Sequence, residues 1–406
     1  MNSTSVPGND RSYFWVCVSM CVGVMGTALA SPLYPLYQEA WHLAPSQIAQ
    51  LYTAYMIAAL ATLLFLGRLT DRHGFLPVLR GGVILVTVGI TVSALAWDVL
   101  SFTISRILIG LASGLIVTSS SLGLGQLRKG GNSQRVAATI SLTLAFGFGL
   151  GPVVGGLIAQ WTPYPLVSAY LPSIVLGLLA VYALFRIKAK PQLPHPAAGA
   201  GGWRHWLPAL SLPAPPLTRP YLIGGLAAFS AFGMFSLYAS LAPSFMDRMV
   251  PWHGPAVSGL SIGVILFLSA AFQFVARPWI TKRVIIWGLV GLALANVLLM
   301  LNTMTTSPLL FASSVLTTAF GHGLCNLGGI SVVNKVAPPH QRSSLLSTYL
   351  MIAYLGSILP VLGMGWLADH IGLSNALLVF CTCIVLLTGC LAFMALRTPV
   401  IAAPES

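Results

Sequence analysis

The chain has 406 residues, of which 56% are hydrophobic and only 7% charged, with a mean hydropathy of +0.87. Soluble domains carry about 25% charged residues, so this balance excludes an ordinary soluble protein and points to a polytopic membrane protein. The formal net charge of +13 would suggest a nucleic-acid partner only if the charges shared one surface. They stand in short loops between apolar runs, so they report topology and imply no nucleic acid.

Residues 13–38, 107–127, 220–246, 343–368 and 370–396 contain no Asp, Glu, Lys or Arg. Residues 136–185 and 284–334 are each long enough for two crossings, since one helix needs about 20 residues. Turn residues at Trp161-Thr162-Pro163-Tyr164-Pro165 and at 302–308 divide them. The sequence thus predicts an all-α polytopic membrane protein of twelve spans. In the first half they fall at about 13–37, 47–66, 80–97, 100–126, 136–160 and 166–186. In the second they fall at about 221–244, 255–276, 284–301, 308–334, 344–367 and 374–396.

In that arrangement every Lys and Arg except Arg106 and Arg248 falls on one side, which we call the basic side. Glu39, Asp98, Asp247 and Asp369 fall on the other, the acidic side. The positive-inside rule makes the basic side cytoplasmic, with both termini there, and a plasma (inner) membrane is the expected location. The first apolar run is too long for a cleavable signal and reads as span 1. The six cysteines all lie within spans and show no metal-site or disulfide-framework spacing.

The two halves look like copies. Arg135 before span 5 matches Arg342 before span 11, and Pro152 with Gly155 matches Pro360 with Gly363, at nearly the same offset (342 − 135 = 207; 360 − 152 = 208). Expected domains are therefore a six-helix bundle at 1–187, a Pro/Gly-rich cytoplasmic linker at 188–220 and a second six-helix bundle at 221–406. In the linker, Trp203-Arg204-His205-Trp206 suits a short interfacial segment. A parallel repeat of two six-helix units is an architecture of rocking transporters, with the substrate site between the repeats near mid-membrane.

Three stretches carry chemistry. Gly67-Arg68-Leu69-Thr70-Asp71-Arg72-His73-Gly74 sets a carboxylate and two arginines between spans 2 and 3. A basic turn would fix orientation alone; a carboxylate so close to hydrocarbon needs a partner. Arg106, four residues before Gly110, is the one permanently charged residue deep in a span. It either faces a cavity or pathway, or snorkels to the interface. Span 5 holds Gly147, Gly149, Gly151, Gly155 and Gly156 with Pro152. Glycines four apart make a groove for close approach of another helix, and the proline bends the backbone.

On these residues the chain resembles the major facilitator superfamily over nearly its whole length. Gly67-x-Leu69-x-Asp71-Arg72-x-Gly74 is similar to that family's loop signature between spans 2 and 3, and Arg106-x-x-x-Gly110 resembles its second motif. Gly147-x-x-x-Gly151-Pro152-x-x-Gly155-Gly156 is similar to the antiporter motif of its drug and metabolite exporters. The resemblance implies twelve helices in two pseudo-symmetric bundles working by alternating access. It also implies that Asp71 acts as a conformational latch near the start of span 11, at Ser343-Ser344. Phe75 and Leu76 stand where the family usually has basic residues, which leaves Arg80 as a candidate basic partner. Spans 1, 2, 4, 5, 7, 8, 10 and 11 line the pore in the family. Tyr52, Tyr55, Tyr238, Gln273, Asn326 and Tyr354 are the candidate cavity residues on them, though aromatics also serve as plain packing.

His322, in Gly321-His322-Gly323, is the histidine placed at mid-membrane, and two readings of it are open. It is a proton carrier with an unperturbed pKa near 6.5, or a structural histidine satisfied by its neighbours. With Arg106 it forms the candidate charge route. The expected function is a secondary, proton-coupled exporter of small drug-like or metabolite molecules, acting as a monomer in a lipid bilayer. The alternative is an importer or facilitator of a sugar or organic acid. No catalytic dyad, metal site, cofactor or nucleotide-binding loop is expected; a proton gradient is the expected driving force. If Asp71 is a latch, Asp71→Asn inserts normally but transports poorly. Transport at the parental rate in that variant would remove the latch role.

Overall fold

The computed structural model describes residues 7–66, 69–128, 133–187, 210–246, 250–252, 254–338 and 341–398. Among these are 12 helices long and apolar enough to cross a membrane. In the first half they are span 1 (Asp10–Trp41), span 2 (Pro45–Leu66), span 3 (Phe75–Ala94), span 4 (Val99–Leu127), span 5 (Gln134–Trp161) and span 6 (Pro165–Arg186). In the second they are span 7 (Thr218–Ser240), span 8 (Pro255–Ala276), span 9 (Thr281–Thr305), span 10 (Pro308–Val336), span 11 (Arg342–Ile371) and span 12 (Leu373–Leu396). The interfacial segment expected at Trp203–Trp206 lies outside the described residues.

Span 3 begins before the expected residue 80. Pro77 is tolerated in a first turn, and Arg80 is held there by its own contacts. Its Nε and Nη2 donate to the Leu184 carbonyl at 3.2 and 2.9 Å, Nη2 also reaches the Ile187 carbonyl, and the guanidinium lies over Phe185. Arg80 therefore closes the carbonyl end of span 6. Span 1 is broken near its acidic-side end. The helix Pro7–Ala28 gives way to a 3-10 turn at Ser31–Leu33 and then to Tyr34–Trp41, where Pro32 and Pro35 lack the amide a continuous helix would use. Span 2 ends in π-helical turns at Thr62–Leu66.

The chain folds as two compact units. One comprises Met1–Ala30 with Ala54–Leu207, the other Ser31–Thr53 with Pro208–Ser406. The sequence-level halves and these units thus differ at residues 31–53, which pack within the second unit.

In the first unit, span 5 lies on span 1 through its glycines. A methyl at Gly147 would fall 2.7 Å from the Cys21 carbonyl oxygen, one at Gly151 would strike the Met25 carbonyl, and one at Gly155 would meet Leu29 at 2.9 Å. Glycines four apart on one helix thus meet residues four apart on a helix running the same way. Pro152 sits inside the helix beside them. In the second unit span 11 meets span 7 at Gly356 and Phe229, while Gly363 has no neighbour within 4 Å. The repeat is clearer at the basic side. Lys282 at the start of span 9 donates to the Leu396 carbonyl at 2.8 Å, as Arg80 does to span 6. Arg186 over Tyr182 recurs as Arg397 over Phe393 (397 − 186 = 393 − 182).

Span 4 has a complete capping box. Asp98 Oδ1 accepts the Ser101 amide at 2.8 Å, while Ser101 Oγ accepts the Asp98 amide at 3.2 Å. The Ser101 amide holds the Asp98 carboxyl below the usual carboxylate range. A lowered folded-state pKa means the cap's contribution is complete at neutral pH and fades as pH falls through that pKa. Large apolar side chains such as Leu178, Leu179 and Leu386 are exposed, as lipid-facing positions require. Trp97, Trp161, Tyr164 and Trp252, also exposed, sit in loops or at a span end on the acidic side as an interfacial aromatic belt.

The glycine contacts predict unequal mutational costs. Gly151→Val pushes side-chain atoms into the Met25 backbone and should destabilise the first unit by about 2 kcal/mol or more. Gly363→Ala meets open space and should be neutral or slightly stabilising, because alanine is the better helix former. Thermal unfolding of both variants in detergent checks the contrast.

Candidate functional site

Arg106 is fully buried in the first unit, and its surroundings explain its four-residue spacing from Gly110. A methyl at Gly110 would fall 2.5 Å from the Tyr55 carbonyl oxygen and 2.7 Å from the Ala58 Cβ, so span 4 lies directly on span 2. One turn earlier Arg106 places its guanidinium 4.7 Å from the ring centroid of that same Tyr55. Its Nη1 donates to the Thr27 carbonyl of span 1 at 3.3 Å, while Nε finds no partner among the described residues. A cation held by one carbonyl and one ring face, away from water, has its charge incompletely offset. The acids of this unit, Asp10, Asp71 and Asp98, all stand at span ends or in a connection. The site offers a fixed positive charge buried among spans 1, 2 and 4.

The second unit holds a neutral polar cluster around His322. A methyl at Gly321 would meet the Leu292 amide at 2.7 Å and one at Gly323 the Ser269 carbonyl at 2.5 Å. The flanking glycines therefore let span 10 sit tightly against spans 9 and 8. That approach brings Ser269 Oγ to 2.8 Å from His322 Nδ1. Asn326 Nδ2 stands 3.2 Å from His322 Nε2 and 3.5 Å from Nδ1, and Gln273 Nε2 donates to Ser269 Oγ at 3.4 Å. An amide nitrogen is donor only, so with the Asn326 amide turned this way Nε2 accepts from it and the ring proton is on Nδ1, facing Ser269 Oγ; the reversed amide goes with the other tautomer. Both ring nitrogens are thus met by neutral partners. A second proton would make Nε2 a donor facing another donor, which a half-turn of the Asn326 amide would cure. Phe235 and Phe232 lie 5.6 and 6.2 Å from the imidazole, and Phe232 lies 5.7 Å from Tyr354.

Three expected cavity residues, Gln273, Asn326 and Tyr354, therefore gather at His322, and Tyr55 stands with Arg106. Tyr52 and Tyr238 have serine partners of their own. Tyr52 is buried with its hydroxyl 2.8 Å from Ser236 Oγ. Tyr238 is buried 2.9 Å from Ser314 Oγ, which passes its own proton to the Ala295 carbonyl. Gly147, Gly151, Pro152, Gly155 and Gly156 are buried as the packing face of span 5.

The loop signature forms a tight corner. Leu69–His73 is one helical turn, and Gly74, at φ 82, starts span 3. Arg72 is exposed; Gly67 and Arg68 lie outside the described residues. At the start of span 11, Ser344 Oγ lies 2.7 Å from Ser211 Oγ, and the Ser211 amide donates to Thr348 at 3.0 Å. Sequence reading missed Phe232, Phe235 and Ser269. The two phenylalanines were visible as aromatics on a small-residue helix facing the expected pore, whereas a serine in a span carries no signal of its own.

The sequence model of the Major Facilitator Superfamily matches residues 16–359 and 251–405. The multidrug efflux protein YfmO of Bacillus subtilis is 24% identical over 395 residues, covering 95% of each chain. The quinolone resistance protein NorA of Staphylococcus aureus is 22% identical over 72% of this chain and 74% of its own. The 4-hydroxybenzoate transporter PcaK of Pseudomonas aeruginosa is 23% identical over 90% of this chain and 93% of its own. Among solved structures, a bacterial homologue of the lysosomal transporter Spinster superposes with a TM-score of 0.73 at 12% identity, covering 99% of this chain and all of the other. The nucleoside transporter NupG gives 0.73 at 14% identity, over 95% of this chain and 99% of its own. Twelve apolar helices, the loop and span-5 glycine patterns and this match leave one assignment: the chain belongs to the Major Facilitator Superfamily, a family of membrane transporters.

Proposed function

We propose that the protein is a proton-coupled exporter of small drug-like or metabolite molecules that are neutral or singly negative. The observation that carries the charge class is Arg106, a buried cation with no carboxylate bonded to it among the described residues, in a chain whose acids all lie at span ends, in loops or in the terminal segment. A lipophilic cation would lose hydration and gain no counter-charge at mid-membrane. Aromatic walls at Phe232, Phe235 and Tyr354 with amide and hydroxyl groups beside them suit an aromatic ligand carrying a few polar atoms. Efflux proteins such as YfmO and NorA, and the glycine-proline pattern of span 5, support export.

Coupling is assigned to His322. A proton arriving at Nε2 reverses the Asn326 amide and leaves a charged ring among neutral groups, a state that a change of facing toward water would relieve. The basic side is the cytoplasmic side in this reading, the molecule works as a monomer, and it needs no cofactor. A second reading, uptake of an organic acid, is favoured by the likeness to PcaK, named as a 4-hydroxybenzoate transporter, and by the same Arg106.

The test uses purified protein in proteoliposomes with an inside-acid gradient, offered neutral aromatics, aromatic monoacids, lipophilic cations and sugars. Uptake of the first two classes that collapses with an ionophore is expected; uptake that follows only the substrate's own gradient overturns proton-coupled export. In His322→Gln, gradient-driven uptake should fall to background while substrate counterflow persists. Equal loss of both would make His322 structural. Arg106→Gln should relax the discrimination against cations, and an unchanged panel would remove Arg106 from selectivity.

A further inference from the structure

The loop signature occurs a second time, at the opposite side of the protein. Gly365-Trp366-Leu367-Ala368-Asp369-His370-Ile371-Gly372 repeats the Gly-x-Leu-x-Asp-x-x-Gly spacing that begins at Gly67. The two copies also share their backbone. Gly74 has φ 82 and ψ 162, Gly372 has φ 80 and ψ 154, and each starts the following span. The Gly74 amide donates to the Thr70 carbonyl at 2.9 Å and the Gly372 amide to the Ala368 carbonyl at 3.1 Å, both four residues back. A histidine in each corner bonds a carbonyl four residues earlier, His73 to Leu69 and His370 to Trp366. Both corners need glycine, which reaches positive φ without strain.

At the second copy the docked partner is visible. A methyl on Gly365 would fall 2.7 Å from the Ala49 Cβ and 3.0 Å from the Ser46 Cα, so this glycine lays span 11 on the first turn of span 2. One turn further along, Asp369 Oδ1 accepts the Ser46 amide at 3.2 Å. That amide is among the first four of its helix, which have no intrahelical acceptor, and it lies at the positive end of the helix dipole. Gln47 Oε1 takes the Ala44 amide from within the turn, leaving the Ser46 amide to Asp369. Two more bonds tie the same segment to the second half: Ser244 Oγ donates to Gln38 Oε1 at 2.8 Å, and the Tyr52 hydroxyl lies 2.8 Å from Ser236 Oγ.

Residues 31–53 belong to the first half by sequence and to the second unit by packing. Any path opening on the acidic side between the sequence halves must part them from spans 7, 8 and 11. We propose that Asp369 with Gly365 is the latch of the acidic side, holding the start of span 2 on the end of span 11 and releasing it when that side opens. Both corners carry the same acid in the same frame, one after span 2 and one in the last turn of span 11, and the latter meets the start of span 2.

The test is independent of substrate. The cysteine-free full-length chain carries nitroxides at Gln50→Cys and Ser374→Cys, both exposed in the parent, and distances are measured by double electron–electron resonance in nanodiscs. Asp369→Ala should raise the ratio of long to short distances about two- to fivefold, the worth of a surface carboxylate at a helix N-terminus. Asp369→Asn, keeping the acceptor without the charge, should fall between, and Gly365→Leu should give the largest shift. Distributions matching the parent in Asp369→Asn and Gly365→Leu would overturn the latch, including in the event that Asp369→Ala fails to fold.

Discussion

Inside hydrocarbon there is no water to complete a polar group's hydrogen bonds, so a side chain on one span is satisfied only where another span comes within reach. Glycine supplies that reach throughout this protein. Gly110 seats span 4 on Tyr55, and Arg106, one turn away, lands on the ring of the same residue. Gly321 and Gly323 seat span 10 on spans 9 and 8, and His322 between them meets Ser269. Gly365 seats span 11 on the first turn of span 2, and Asp369, one turn away, meets Ser46. Each time a helix backbone approaches closely at a residue without a side chain, and the polar neighbour uses the contact so made. Replacing such a glycine moves the polar group as well as the helix.

Much of this is legible in the sequence. The twelve spans follow from apolar run lengths, because length and charge exclusion are the two demands a bilayer makes. The glycine groove of span 5 was equally plain, although its partner, span 1, was not. Spacing tells which face is small, and only packing tells what fills it. The start of span 3 was misplaced because Arg80 was read as a loop charge, whereas its guanidinium lies over Phe185 and bonds carbonyls at the end of span 6. A long cationic side chain can begin inside a helix and still reach the polar boundary. The Gly365–Gly372 corner was present in the sequence but lay where no basic residues draw attention.

The polar groups at the two sites differ in kind. Arg106 is a permanent charge with incomplete compensation, whereas the His322 cluster is neutral and fully met in one proton arrangement. A neutral cluster can change state with one proton and the turn of one amide, and a fixed cation can only select what stands beside it. Ionic pairing at mid-membrane would be stronger, yet breaking a buried pair costs several kcal/mol. A transporter that must pass repeatedly between two facings is better served by groups whose partners can be exchanged.

The same reasoning bears on how the acidic side is held. The contacts of residues 31–53 with the second half include a carboxylate on a helix start, two neutral side-chain hydrogen bonds and a glycine-faced packing patch. Individually these are worth about 0.3–1.5 kcal/mol each. A few of them together hold one facing without trapping it, because a substrate or proton can offset a sum of that size through differential binding. Latches this weak also make the equilibrium sensitive to each of them. The acid kept in the same frame at both corners is therefore more economically explained by a role in balancing the two facings than by stability, to which a single exposed hydrogen bond adds little.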